Sequence, residues 1–411
     1  VLAAVALGNI YFFNVSIFGT GTLMALDPLV SQAVGAKDEQ SIVRATQRGA
    51  VLGVLISIAT VLLLLPARRV FLAFHQPPGI VDVAASYLAI SIPGVLPFFA
   101  FVVFRQVLQA VGRLSPIVWT IVLANLLNAG LNWVFVYGHL GAPRMLAQGS
   151  AVATAVARWA MAIGLFALGA DQLRHRLSPL RREAFDRRAL WSMFTLGAPI
   201  GAQQMLEAAA FGAIGLLMGV LGVRELAAHQ VAITLAALTF MVPVGVGAAA
   251  SVRVGRAIGA GDASGARSAA HAAYICGVGF MCITGLLFIA FPRQLAELMT
   301  SDPAVIAIAA VLIPVAGLFQ VFDGGQAVGA GVLRGIGDTR APLIWMLGGY
   351  WLLGLPISVA LGFHTTLREQ GLWYGFVASL GVVAVCLLLR IRVLLGRDLR
   401  RVSLDGWGAD A

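Results

Sequence analysis

The chain has 411 residues, of which 60% are hydrophobic and only 11% charged, and its mean hydropathy is +0.91. About a quarter of a soluble domain is charged, because its surface must face water; a soluble globular enzyme is therefore excluded, and the bilayer must solvate most of this chain. The net charge of +10 does not point to nucleic acid, since the arginines sit in short gaps between apolar runs rather than along one face or tail.

A helix needs about 20 apolar residues to cross the hydrocarbon. Eleven stretches qualify: 2–33, 47–66, 82–110, 117–138, 150–170, 190–220, 226–252, 268–292, 304–332, 341–363 and 371–394. The first carries Asp27 just before Pro28, where an acid can satisfy backbone donors that the proline frees, so a structural role and a coupling role are both open. Turn residues punctuate the gaps, as in Gln76-Pro77-Pro78-Gly79 and Gly259-Ala260-Gly261-Asp262. In the fourth stretch Asn125, Asn128 and Asn132 share one helix face and could line a polar cavity or bond helix to helix. Arg158 in the fifth reads as snorkelling or locally paired. His229 and His271 read as satisfied polar residues rather than ligands. Cys276, Cys282 and Cys386 lie inside apolar runs, as small buried hydrophobes without disulfide or metal spacing.

Cytoplasmic loops are enriched in Lys and Arg. With the gap after the first span placed in the cytoplasm, only Arg68, Arg69, Arg144, Arg224, Arg293 and Arg368 fall on the far side and Arg158 inside a span; the other basic residues of the 28 are cytoplasmic. The C-terminus is then cytoplasmic.

The sequence also resembles itself. Residues 30–45, VSQAVGAKDEQSIVRA, align with 254–269, VGRAIGAGDASGARSA, and LQAVGRLSPIVW (108–119) aligns with LRGIGDTRAPLIW (333–345) with one residue inserted. This register leaves 190–220 without a counterpart, so five spans precede the repeat boundary and six follow it. The expectation is an all-α integral membrane protein of two six-helix lobes in parallel repeat, the first helix missing, so that 11 transmembrane helices are present. Residues 1–170 would form the N-terminal lobe, 171–189 a basic cytoplasmic linker, 190–394 the C-terminal lobe and 395–411 a cytoplasmic tail.

Charge in hydrocarbon is expensive, so an intramembrane acid is a functional candidate by default. Glu207 lies far from either end of its span, and Asp323 lies within GLFQVFDGGQAVGAGVLRG. Such carboxyls can exchange protons or, facing one cavity, hold Na⁺ as the only metal ion; a structural hydrogen-bonded acid is the alternative. Gln203 and Phe319, each one turn before an acid, are candidate cavity-lining residues. Gly324 and Gly325 would loosen the helix and open its carbonyls towards the site. Lys37 is the only lysine, so no nucleotide-binding P-loop is present, and no nucleophile–base pattern stands out. Catalysis is not expected, nor any cofactor beyond the coupling ion.

Six stretches, GTGTLMALDPLVSQAVGA (19–36), LLNAGLNWVFVYGHLGAP (126–143), AAHQVAIT (227–234), AAASVRVGRAIGAGD (248–262), GAGVLRGIGD (329–338) and YWLLGLPISVAL (350–361), resemble the MATE (multidrug and toxic compound extrusion) family, particularly its bacterial NorM-type branch. The resemblance implies twelve helices in two lobes and export of amphipathic, often cationic drugs in exchange for H⁺ or Na⁺ by alternating access. It implies that Glu207 and Asp323 occupy the acidic cation-site positions of the C-terminal lobe, and Asp27 resembles an acid found at that place in eukaryotic relatives. The family's first helix carries an acidic residue implicated in coupling, and that helix is expected to be missing from this sequence; Phe319 stands where some relatives have tyrosine, which removes a hydroxyl oxygen. The expected setting is the bacterial inner membrane, with lipid and small-molecule substrates as partners, no nucleic acid, and a monomeric state. A lipid-linked precursor flippase and a non-transporting receptor or scaffold are the rival readings; a flippase would need a more cationic cavity.

Overall fold

The computed structural model describes residues 2–397 and 401–402. These are helical almost throughout, with no strand among the described residues. Eleven described spans are long and apolar enough to cross a bilayer, and each lies over one of the stretches that hydropathy marks out.

A first compact unit reaches from the start of the chain to Gly201. It contains α1 (Leu2–Leu23), α2 (Leu26–Gly35), α3 (Glu39–Leu64), α4 (Ala67–Ala73), α5 (Pro78–Ser91), α6 (Val95–Ala110), α7 (Ser115–Tyr137), α8 (Ala147–Leu168) and α9 (Ala170–Leu177). The chain crosses to the second unit, Ala202–Val402, within α10 (Arg187–Leu221). There follow α11 (Val223–Gly259), α12 (Ala263–Ala290), α13 (Pro292–Glu297), α14 (Pro303–Ile336), α15 (Arg340–Met346), a π-helical segment Leu347–Gly354, α16 (Leu355–Phe363) and α17 (Arg368–Leu395). Residues 398–400 and 403–411 of the expected tail lie outside the described residues.

The breaks have local causes. Pro28 has no N–H to return to Met24, so the expected single span 2–33 divides into α1 and α2. At the joint, Met24 and Ala25 donate to the carbonyls of Gly21 and Thr22, and Asp27 donates to Met24. Pro93 likewise interrupts the span 82–110 with one 3₁₀ turn, Ile92–Gly94. Pro356 lacks the N–H that would close an α-turn on Leu352, and the preceding segment winds wide as a π-helix.

The internal repeat is visible in local geometry. Asp38 caps α3 by accepting from the Ser41 amide, with φ −97° and ψ 84°; Asp262 caps α12 by accepting from the Gly265 amide, with φ −92° and ψ 84°. The residue before each cap, Lys37 and Gly261, has a positive φ of 56° and 72° respectively.

In the first unit α6 packs against α3 and α8, α2 packs between α3 and α6, and α7 lies on α8. The outer side of α7 exposes Val118, Trp119, Leu123, Leu126 and Trp133, an apolar surface suited to lipid. The basic stretch 171–189 is pinned to this unit rather than left as a free tether. Arg176, nearly buried, pairs with Glu39 at 2.8 Å, and His175 approaches the same carboxylate at 3.4 Å. The Gln47 amide donates to the carbonyls of Arg176 and Pro179 and accepts from the Arg181 N–H. Asp171 is held below the ordinary carboxylate range by hydrogen bonds from Gln172 and Arg113.

In the second unit α14 is the central post, surrounded by α11, α12 and α17. Close approach depends on small residues: a Cβ on Gly331 would fall 2.2 Å from the Gly247 carbonyl oxygen of α11. Polar ties hold the post on two sides, because the Gln320 side-chain oxygen accepts from Thr239 of α11 and Thr284 of α12. Contrary to the sequence expectation, α14 runs unbroken through Gly324 and Gly325. Packing explains Gly324, whose added Cβ would meet Met281 Cγ at 2.6 Å.

Candidate functional site

The acids that stand out in the sequence both contribute to the second unit, from different helices. On α10, Gln203, Glu207 and Phe211 recur every four residues and so share a face. On α14, Phe319 and Asp323 do the same. Phe211 meets Phe319 edge-on with ring centroids 6.0 Å apart, which brings the turn carrying Glu207 to the turn carrying Asp323. The two carboxyls are within electrostatic range of each other.

Aromatic rings enclose this junction. Phe319 stacks on Phe376 of α17 at 5.8 Å and meets Trp373 at 5.5 Å, and Phe211 is edge-on to Phe376 at 4.9 Å. Tyr350 of the π-helical segment lies against Phe376 at 5.3 Å. On the far side of Trp373, His229 of α11 approaches at 5.6 Å. The next residue of the π-helical segment, Trp351, sends its indole N–H to the Leu206 carbonyl, one residue before Glu207.

Asp323 is 4% exposed, and its Oδ1 has no hydrogen-bond partner; Glu207 keeps part of its surface open. Neither acid forms an ion pair with a basic residue among the described residues. Two neighbouring carboxylates in low dielectric, with no fixed cation, cannot both stay charged at low cost. The arrangement can take up a proton or hold one small cation between oxygens. No group of three or more His, Cys, Asp or Glu side chains suited to a bound metal occurs among the described residues.

The other candidates lie elsewhere. Asp27 is fully buried in the first unit, on the first turn of α2 just beyond the Pro28 joint. Asn128 and Asn132 are partly buried and spend their contact within α7, where Asn132 donates to both the backbone and side-chain oxygens of Asn128; Asn125 is exposed. Arg158 does not pair with an acid: its guanidinium lies 3.8 Å from the Phe12 ring centroid, as a cation–π contact. Gln203 is buried one turn from Glu207.

Sequence reasoning missed Tyr350, Trp351, Trp373 and Phe376, and it took His229 for a satisfied polar residue. His229 is instead buried with Nδ1 unpartnered, as are the Trp373 indole nitrogen and the Tyr350 hydroxyl. The available signal was the density of hydrogen-bonding aromatics, Tyr350, Trp351 and Trp373, in the last two apolar runs.

Comparison with known proteins bears on this site. A family model described as MatE matches residues 1–134 and 199–360, a range that contains both acids. The chain is 38% identical over 402 residues to "Probable multidrug resistance protein NorM" of Mesorhizobium japonicum, covering 95% of this chain and 85% of that protein. It is 37% identical over 405 residues to "Multidrug resistance protein NorM" of Burkholderia vietnamiensis, covering 95% and 86%. Among solved structures, the eukaryotic MATE transporter AtDTX14 superposes with a TM-score of 0.84 at 25% identity, over 95% of this chain and 87% of that one. An outward-facing multidrug resistance MATE family transporter superposes with a TM-score of 0.86 at 19% identity, over 96% and 88%. With a family match across most of the helices and relatives aligned nearly end to end, this chain belongs to the MATE family of membrane transporters.

Proposed function

We propose that the chain is a secondary multidrug exporter of the bacterial inner membrane, trading H⁺ or Na⁺ for amphipathic, often cationic compounds by alternating access. The observation that carries this reading is the Glu207–Asp323 pair: two neighbouring acids inside membrane-spanning helices with no cationic partner among the described residues. The names of the relatives support the substrate class.

The physics of the pair supplies the coupling. With both carboxyls charged and unaccompanied, the site repels further anionic charge and attracts cations. A proton or Na⁺ entering the pair cancels part of that field, so a cationic substrate and the coupling ion compete electrostatically. Entry of the ion from outside then favours outward release of the substrate, and loss of the ion to the cytoplasm restores the field. The buried charge of the empty pair also penalises conformations that close around it without a cation. The acidic character of the site argues against a flippase for pyrophosphate-linked lipids, which would need basic groups there.

Ethidium efflux from proteoliposomes, with proton and sodium gradients imposed separately, tests the proposal. Efflux driven by one gradient and abolished by its collapse supports exchange and names the ion. Efflux indifferent to both gradients overturns it.

A further inference from the structure

Tyr350 places a polar group where the surrounding structure gives it nothing to bond. It is 1% exposed, its ring packs on Phe376, and its hydroxyl has no hydrogen-bond partner. A buried polar group is ordinarily paired, and an orphan calls for a use. Phenylalanine would fill the same ring position without that cost, as it does at the neighbouring Phe211, Phe319 and Phe376.

What the hydroxyl does have is charge nearby. Tyr350 lies within electrostatic range of both Glu207 of α10 and Asp323 of α14, and its ring neighbour Phe376 carries no titratable charge. The backbone is shaped to hold it there. The π-helical segment Leu347–Gly354 seats closely on α17, where a Cβ at Gly349 would fall 2.2 Å from Val383 Cγ2. The Trp351–Leu206 hydrogen bond ties the same segment to α10 beside Glu207. π-Helical turns are costly and recur where a side chain must be aimed.

We propose that the Tyr350 hydroxyl is the third oxygen of the cation site, left without a partner while the carboxyl pair is empty and turning a lone pair to the ion when the pair is filled. A phenol oxygen carries lone pairs suited to this. Tyr350 thereby supplies the oxygen that Phe319 lacks, from a different helix. This inference rests on the reading of Glu207 and Asp323 as the coupling site.

The test is thermal unfolding of the purified full chain in detergent, titrated with Na⁺ at fixed pH and with protons in the absence of Na⁺, for wild type, Tyr350→Phe and Tyr350→Leu. In wild type the coupling cation raises the melting temperature. In Tyr350→Phe the midpoint of that rise moves about tenfold to higher cation concentration, the loss expected for one hydrogen bond to a charged group. Its cation-free melting temperature stays level or rises, because the orphan hydroxyl is gone. Tyr350→Leu lowers the cation-free value, separating the ring's packing from the hydroxyl. An unshifted midpoint in Tyr350→Phe, with wild type responding normally, overturns this inference alone. If neither cation stabilises wild type or drives its ethidium efflux, the coupling site itself is wrong and the inference falls with it.

Discussion

The indole nitrogen of Trp351 donates to the carbonyl of Leu206 across 3.4 Å, joining the π-helical segment to α10 at the residue before Glu207. The bond is long, so its strength lies in placement more than energy. Trp351→Phe keeps most of the ring volume and removes the donor. Expected is a loss of roughly 1 kcal/mol of stability, with a larger effect on gradient-driven efflux than on substrate binding. Equal effects on both in a proteoliposome assay would reduce Trp351 to packing.

Asp323→Asn and Glu207→Gln remove the charge and keep the shape. Each should bring gradient-driven ethidium efflux down to the level of empty liposomes. Melting temperatures should hold or rise, since a buried uncompensated carboxylate is replaced by a neutral amide. Normal coupled export by either variant would remove that acid from the mechanism.

Gly331→Ala tests the close approach of α14 to α11. The new methyl would overlap the Gly247 carbonyl at 2.2 Å, and backbone cannot yield as a side chain does. A destabilisation of about 1–3 kcal/mol or more follows from overpacking, read as a lower melting temperature. Gly325→Ala, whose added Cβ would meet only ordinary contacts of 3.7 Å and beyond, should be far milder and serves as the control.

In the basic stretch 171–189, Arg176→Ala removes one partner of Glu39, which keeps His175, and a donor to the Gln172 carbonyl. Glu39 is half exposed, so the cost should stay near 1–2 kcal/mol rather than that of a fully buried pair. Limited proteolysis between residues 178 and 187 should become faster. An unchanged cutting rate would show that the remaining ties, those of Gln47 and Arg113 among them, suffice to hold the stretch.

The spans were legible because crossing a bilayer demands uninterrupted apolar length, and the two acids stood out as candidates because charge inside such a run is expensive. Tyr350, Trp373 and Phe376 were not legible, since an aromatic in an apolar helix looks alike whether it faces lipid or a site, and only the packing decides. The π-helical segment hides for a related reason: one proline after a helix signals a break, not a widening. Gly324 and Gly325 misled by their chemistry, which permits loosening but also permits close packing, and here Met281 takes the space. Pro28 was visible, yet the span was drawn through it because hydropathy is blind to a missing N–H.

That missing N–H distinguishes the two halves mechanically. At Met24–Ala25 the first half lacks one α-helical ladder bond and closes its turn with shorter-range bonds instead, whereas the matching stretch of α11 passes through Ser251 as continuous helix. At this one place, then, the two copies of the repeat differ by a joint: Pro28 divides the first, and the second runs through as one helix.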